Sequence, residues 1–203
     1  MKRAIVFSNG ELADISRLKI KKTDLLIGVD GGTKQILKPD IIIGDFDSLT
    51  AIPENVPLIM HPQDKDFTDT ELALQFCEKQ NIKEVILVGF LGRRLDHLIA
   101  NLMSLSKYNF KIIEGDQEIF LIKSKAVIKG RPGDLISLIP LLGDCRGVST
   151  SGLQWSLQIR NLQAGPSLGV SNVMLGKSAS ISLKKGCLLV IHTYRVGTCR
   201  LGS

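Results

Sequence analysis

The chain has 203 residues, enough for one domain or two small ones, and its 44% hydrophobic and 23% charged content is ordinary for a soluble globular protein. Its net charge of +6 invites a nucleic-acid partner, but the bases are dispersed and only 5% of residues are aromatic, too few for stacking platforms along a strand. Nucleic acid is therefore not expected as a partner, and a basic surface that attracts anionic nucleotides is the simpler account. No stretch approaches the roughly 20 apolar residues of a membrane span, so no membrane is expected either. Cys77, Cys145, Cys187 and Cys199 stand far apart with no CxxC pair. That spacing argues against a zinc site and a disulfide framework and predicts reduced thiols in the cytoplasm.

In chain order, the opening Met1–Phe7 reads as a first strand, its apolar run too short for a secretory signal. Strands are predicted at Ala4–Ser8, Asp24–Val29, Ile41–Ile43, Leu58–Met60, Val85–Val88 and Lys111–Glu114. Helices are predicted at Leu12–Ile20, Thr33–Leu37, Asp69–Gln80 and Leu95–Lys107. This alternation predicts an α/β domain with a mostly parallel sheet over residues 1–115. Thr68 stands as the N-cap of the third helix, and Glu71 completes a capping box. From residue 116 to 203 the runs turn β-rich: Gln117–Ile122, Ala126–Ile128, Leu135–Pro140, Leu153–Ile159, Ser180–Leu183 and Cys187–His192. Gly and Pro punctuate them, and the pattern predicts an all-β sandwich.

Four acidic clusters mark the first half: Asp30-Gly31-Gly32, Gly44-Asp45-Phe46-Asp47-Ser48, Lys65-Asp66-Phe67-Thr68-Asp69-Thr70-Glu71, and Arg94-Leu95-Asp96-His97. The first two directly follow apolar strands, so the chain delivers carboxylates to strand ends, where open α/β sheets bind ligands. Two carboxylates about 4 Å apart repel by roughly 1 kcal/mol in water and about 4 at an effective dielectric near 20. A cation makes such a gathering tolerable, and oxygen-only ligands suit Mg²⁺. Arg94 at a predicted helix start is a ready phosphate site. His97 alone reads first as a hydrogen-bonded structural residue. No Walker-type GxxxxGK[ST], GxSxG or HExxH occurs.

Together and in this order, these motifs resemble those of the bacterial thiamine pyrophosphokinase (thiamin diphosphokinase) family, with Gly152-Leu153-Gln154-Trp155 and Gly169-Val170-Ser171-Asn172 matching its C-terminal motifs. Two departures stand out: Thr33-Lys34 where Ala-Asn is usual, and Arg93 where a glycine is usual. The resemblance implies a catalytic α/β domain, a thiamine-binding and dimerising β-sandwich, and a homodimer with active sites at the subunit interface. It implies transfer of the diphosphate of ATP to the thiamine hydroxyl, giving thiamine diphosphate and AMP. On that basis Asp45, Asp47 and Asp69 would hold Mg²⁺. Asp30, Gly31, Asp66, Thr68, Arg94, Asp96 and His97 would line the ATP side, and Trp155, Ser171 and Asn172 the thiamine side. Asp69 or Asp66 would accept the hydroxyl proton, with the choice between them open. Two other chemistries fit some of the same acids: a pyrophosphokinase acting on a pterin alcohol, and a haloacid-dehalogenase-like phosphotransferase using Asp45-Phe46-Asp47.

Overall fold

A computed structural model of the chain describes residues 3–11, 14–36, 38–45, 55–61, 67–92 and 94–195. It packs as two compact units, Met1–Gly115 and Asp116–Ser203. The first contains strands β1 (Arg3–Phe7), β2 (Leu25–Val29), β3 (Ile41–Gly44), β4 (Leu58–Met60), β5 (Glu84–Val88) and β6 (Lys111–Glu114), with helices α1 (Asp69–Lys79) and α2 (Leu95–Ser104). These strands stand in the order β6-β5-β1-β2-β3-β4, all parallel. Ala4, Ile5, Val6, Ile42, Ile43, Leu87 and Val88 are fully buried. Such unbroken apolar runs belong to strands covered on both faces.

From β1 to β4 the chain steps outward in one direction; β5 then returns to the other side of β1. The carboxyl ends of β1 and β5 thus flank a topological switch point, the place where open α/β sheets form a ligand crevice.

Two helix expectations need correction. No helix forms over the described residues 14–20 of the predicted Leu12–Ile20; Leu12 and Ala13 lie outside the described residues. The Asp14 carboxylate accepts the Ser16 N–H at 2.8 Å and its hydroxyl at 3.0 Å, a local turn that competes with helical pairing. Arg3 Nη2 donates to the Lys19 carbonyl at 2.7 Å. Over the described part of the predicted Thr33–Leu37 helix the chain forms a 3-10 turn, Asp30–Gln35; Leu37 lies outside the described residues. In α1, Thr68 Oγ1 accepts the Glu71 N–H at 3.2 Å. The Glu71 carboxylate, however, meets Lys107 Nζ at 2.6 Å, so an ion pair replaces the second half of the expected capping box.

The second unit holds β7 (Gln117–Ile122), β8 (Lys125–Lys129), β9 (Leu135–Pro140), β10 (Cys145–Ser151), β11 (Arg160–Leu162), β12 (Asn172–Val173), β13 (Ser178–Ser182) and β14 (Leu188–Thr193). They pair antiparallel in the orders β12-β9-β14-β7 and β11-β10-β13-β8. One apolar cluster draws on both sets, with Ile136, Leu138, Leu188 and Val190 from one and Val148, Leu162 and Ile181 from the other. Beside it the buried Asp134 carboxylate accepts from the Arg131 N–H at 2.8 Å and the Arg195 N–H at 3.0 Å, with His192 Nε2 at 3.1 Å. The predicted strand Leu153–Ile159 is an irregular loop between β10 and β11. Gly152 and Ile159 have φ of +73° and +51°, and the Leu157 and Ile159 N–H groups are spent on Thr150 Oγ1 and Ser149 Oγ. Among the described residues no helix is long and apolar enough to cross a membrane.

Candidate functional site

A cavity of about 890 Å³ opens at the switch point of the first unit. Its floor is made by close backbone approaches that only short residues allow. Past β1, the Ser8 N–H donates to Val88 O at 2.9 Å and the Gly10 N–H to Gly89 O at 2.8 Å, stitching the exits of β1 and β5 together. Past β2, a Cβ on Gly31 would stand 2.0 Å from Asn9 Oδ1, and one on Gly32 2.2 Å from Phe7 O. Backbone therefore forces glycine at position 32 where the 3-10 turn passes beneath the end of β1, while a side chain at position 31 would have to displace the Asn9 amide.

Asp30 opens that turn at φ +43° and is 7% exposed. A buried carboxylic acid in the left-handed region is uncommon, and such backbone settings cluster at working sites. Its carboxylate lies against the last residue of β3: a Cβ on Gly44, itself at φ +152°, would be 1.7 Å from Asp30 Oδ1. The next residue is Asp45, so the ends of β2 and β3 bring two acids to one place. Asp30, Asp45, Thr68 and Asp69 all line the cavity, as do Arg94 and His97.

Arg94 and Asp96 are both exposed and pair through Nε–Oδ1 at 3.3 Å and Nη2–Oδ2 at 2.6 Å. The Arg94 side chain, then the His97 N–H, hold the Asp96 carboxyl down to about 2. Asp96 is not part of the cavity wall, and Gly31 lies under Asn9 rather than facing the cavity. Asp47, Asp66 and Arg93 lie outside the described residues. Thr33 points back at its own strand, its Oγ1 2.4 Å from where a Gly28 Cβ would be. Sequence reasoning passed over other wall residues: Ser8, Asn9, Glu11, Phe67, Phe90 and Asn101. The available signal was position, since Ser8, Asn9 and Phe90 follow strand ends as Asp30 and Asp45 do.

The donor set bears on a metal. Among the described residues no three His, Cys, Asp or Glu side chains form a metal cage. A Mg²⁺ ion does not need one, because it is commonly held by one or two carboxylates with substrate phosphates and water. Asp45 and Asp69 both line this cavity with hard oxygen donors, which fits that mode.

In the second unit Trp155 is 58% exposed, so it is no core tryptophan. Its backbone is clamped by the buried Asn172. The Trp155 N–H donates to Asn172 Oδ1 at 3.0 Å, and Asn172 Nδ2 donates to Trp155 O at 2.7 Å. Oδ1 also accepts the Val173 N–H at 2.9 Å. The Asn172 amide is thus engaged in holding the loop that carries Trp155. Ser171, at φ +59°, donates its N–H to Ser137 Oγ at 3.0 Å.

Comparison with known proteins gives matches along most of the chain. Residues 17–115 match the family model "Thiamin pyrophosphokinase, catalytic domain", and residues 122–188 match "Thiamin pyrophosphokinase, vitamin B1 binding domain". A thiamine pyrophosphokinase of Bacillus subtilis (strain 168) is 30% identical over 186 residues, covering 83% of this chain and 87% of that protein. Thiamin pyrophosphokinase 1 of Caenorhabditis elegans is 25% identical, covering 91% of this chain and 86% of that protein. In fold, the chain superposes on the crystal structure of the Bacillus subtilis thiamine pyrophosphokinase with a TM-score of 0.85 at 24% identity, over 97% of this chain and 100% of that one. The thiamin pyrophosphokinase of Candida albicans superposes at 0.71 with 14% identity, over 94% and 90% of the two chains. With both family domains matched in order, and a 30%-identical relative covered along most of its length, the chain belongs to the thiamine pyrophosphokinase family.

Proposed function

We propose that the chain is an ATP-dependent thiamine diphosphokinase, and that the carboxylate-lined cavity at the β1/β5 switch point is where ATP is held. The observation that carries this is the convergence of Asp30, Asp45, Asp69, Arg94 and His97 on one cavity in a chain matched along both domains of the family. In the reaction the thiamine hydroxyl oxygen forms a bond to the β-phosphorus of ATP. The bond from that phosphorus to the bridging oxygen breaks, and AMP leaves with that oxygen. The hydroxyl proton goes to a carboxylate, Asp69 or Asp66.

Little covalent chemistry is asked of the protein, so positioning and charge neutralisation carry the acceleration. The Arg94 guanidinium offers a planar fork of donors to phosphate oxygens. Asp45, Asp47 and Asp69 would hold Mg²⁺, which would neutralise charge on the transferring group. Asp30, buried against Gly44, would fix the approach of the nucleotide, with Asp66, Thr68 and His97 completing the ATP side; Asp96 would act only through its pair with Arg94, and Gly31 only through the turn it belongs to. Trp155 would give the cationic thiazolium ring a stacking face, an attraction of about 0.5–2 kcal/mol, with Ser171 beside it and Asn172 acting through Trp155.

We read the C-terminal unit as a β-sandwich, supported by one apolar cluster that draws on both sets of antiparallel strands. We also read the protein as a cytoplasmic homodimer with active sites at the subunit interface. Leu95, Ile99 and Met103 recur one turn apart on α2 and are half or more exposed, an apolar stripe of the kind that association covers. The dehalogenase-like reading is disfavoured because Asp45 follows the third strand and not the first. Incubation with Mg-ATP and thiamine decides the reaction: stoichiometric AMP and thiamine diphosphate are expected. ADP would mean an ordinary kinase, inorganic phosphate a phosphatase, and transfer to a pterin alcohol but not to thiamine the related pyrophosphokinase.

A further inference from the structure

We propose that Phe67 and Asn101 form a nucleobase subsite, in which the adenine ring stacks on Phe67 and its 6-amino edge is read by the Asn101 amide; this rests on the reading that the cavity takes ATP. Phe67 precedes the α1 N-cap, lines the cavity, and is left 42% exposed. A large ring left open in a cavity wall is a surface that a flat partner covers. The ring is also held in place. Lys107 Nζ lies over it at 5.7 Å from the centroid and over Tyr108 at 5.4 Å, and is fixed by the 2.6 Å ion pair to the buried Glu71. A platform held from one side stacks a base with little ordering cost, and such stacking is worth about 1–3 kcal/mol.

Asn101 lies on α2 one turn beyond His97, and both line the cavity. Among the described residues its Oδ1 is shut away from solvent without a hydrogen-bond partner, a deficit of about 1–3 kcal/mol until one arrives. The terminal torsion of asparagine is soft, so a ligand amine can draw that oxygen into a bond while Nδ2 faces a ring nitrogen. This is the two-point pairing by which asparagine recognises adenine. Leu98 also lines the cavity and adds apolar wall. The Leu98 N–H donates to Arg94 O at 3.0 Å, which puts Arg94 in helical register. Seven residues, about 10 Å of helix, then separate the phosphate-binding Arg94 from Asn101. A nucleotide laid along α2 would meet its phosphates first and its base last.

Calorimetric titration with Mg-ATP and with purine riboside 5′-triphosphate, which lacks the 6-amino group, reads this subsite without thiamine and independently of turnover. The native protein is expected to bind ATP about 5- to 150-fold more tightly than the analogue. In Asn101→Leu that preference should fall to about 2-fold or less, through loss of ATP affinity alone. Phe67→Ala should weaken both triphosphates by about 5- to 150-fold, with thiamine binding unchanged. A native preference under about 2-fold overturns the proposal, as does a preference that survives Asn101→Leu. A Phe67→Ala effect that falls on thiamine instead of the nucleotides overturns it too. The comparison within the native protein needs no variant to fold, and AMP formation in the turnover assay is judged separately.

Discussion

At the scale of single residues, the clamp of Asn172 on Trp155 separates two ways of losing thiamine use. Trp155→Ala removes the exposed ring and should raise the thiamine KM roughly 2- to 30-fold while leaving the Mg-ATP KM and the melting temperature little changed. Asn172→Ala keeps the ring but strands three backbone groups, so it should raise the thiamine KM comparably and also cost about 1–3 kcal/mol of stability in denaturant. A change in KM without that loss of stability would mean Asn172 touches thiamine directly. The Asp134 carboxylate makes a different prediction. Burial alone would raise it, but the Arg131 N–H, His192 and the Arg195 N–H outweigh burial and hold it below the usual range. A lowered folded value means its stabilisation is present above the unfolded pKa near 3.9 and is lost as pH falls through the folded one. Asp134→Asn should therefore be destabilised at pH 7, and its deficit against the native protein should shrink as both are melted below about pH 4.

At the scale of elements, α1 ties fold to site through its first turn. Thr68 caps it and Asp69 is its first residue, so Thr68→Ala should cost about 1 kcal/mol. It should also lower kcat/KM more than that loss of stability explains, because Asp69 loses its fixed position. A variant with native activity would show that the cap serves stability alone. The same element shows what the sequence made legible. The α1 start, the six parallel strands and the acids at their ends could be read because apolar period, capping chemistry and strand-end position all signal locally. β10 was missed because Cys145–Ser151 carries only Cys145 and Val148 as apolar residues, and a shift in register between them breaks the period-two pattern that marks a strand. Leu12–Ile20 had the right apolar content for a helix, but the Asp14 turn and the Arg3 bond to Lys19 O decide it, and neither shows in a periodicity. At the site, acids were conspicuous as charge. Phe67 and Asn101 were not, because an exposed phenylalanine and an orphaned amide become visible only in three dimensions.

At the scale of the molecule, charge is unevenly shared. Residues 116–203 carry eleven Lys and Arg against four Asp and Glu, while residues 1–115 carry fifteen against sixteen. The overall +6 is thus a property of the C-terminal unit, and the acidic cavity keeps its own balance. Asp45→Asn should abolish AMP formation while leaving the metal-free protein as heat-stable as the native one or more so, since one of several clustered like charges is gone. Near-native turnover in that variant would remove Asp45 from the metal-binding set.

The contact between Asp30 and Gly44 also limits how this chain can vary. A side chain at position 44 would meet the Asp30 carboxylate and would also stand at φ +152°, a setting that L residues rarely adopt, so Gly44→Ala should be destabilised on two counts. Glycine fits position 30 at φ +43° without strain, so Asp30→Gly removes the first obstacle and leaves the second. The double variant should therefore recover only part of the lost stability and none of the activity. In a library scored by abundance position 30 would drift while position 44 stayed glycine; scored by growth on thiamine, both would be fixed. A lineage that gave up the reaction would lose the acid and keep the glycine, and the surviving glycine would mark where the acid had been.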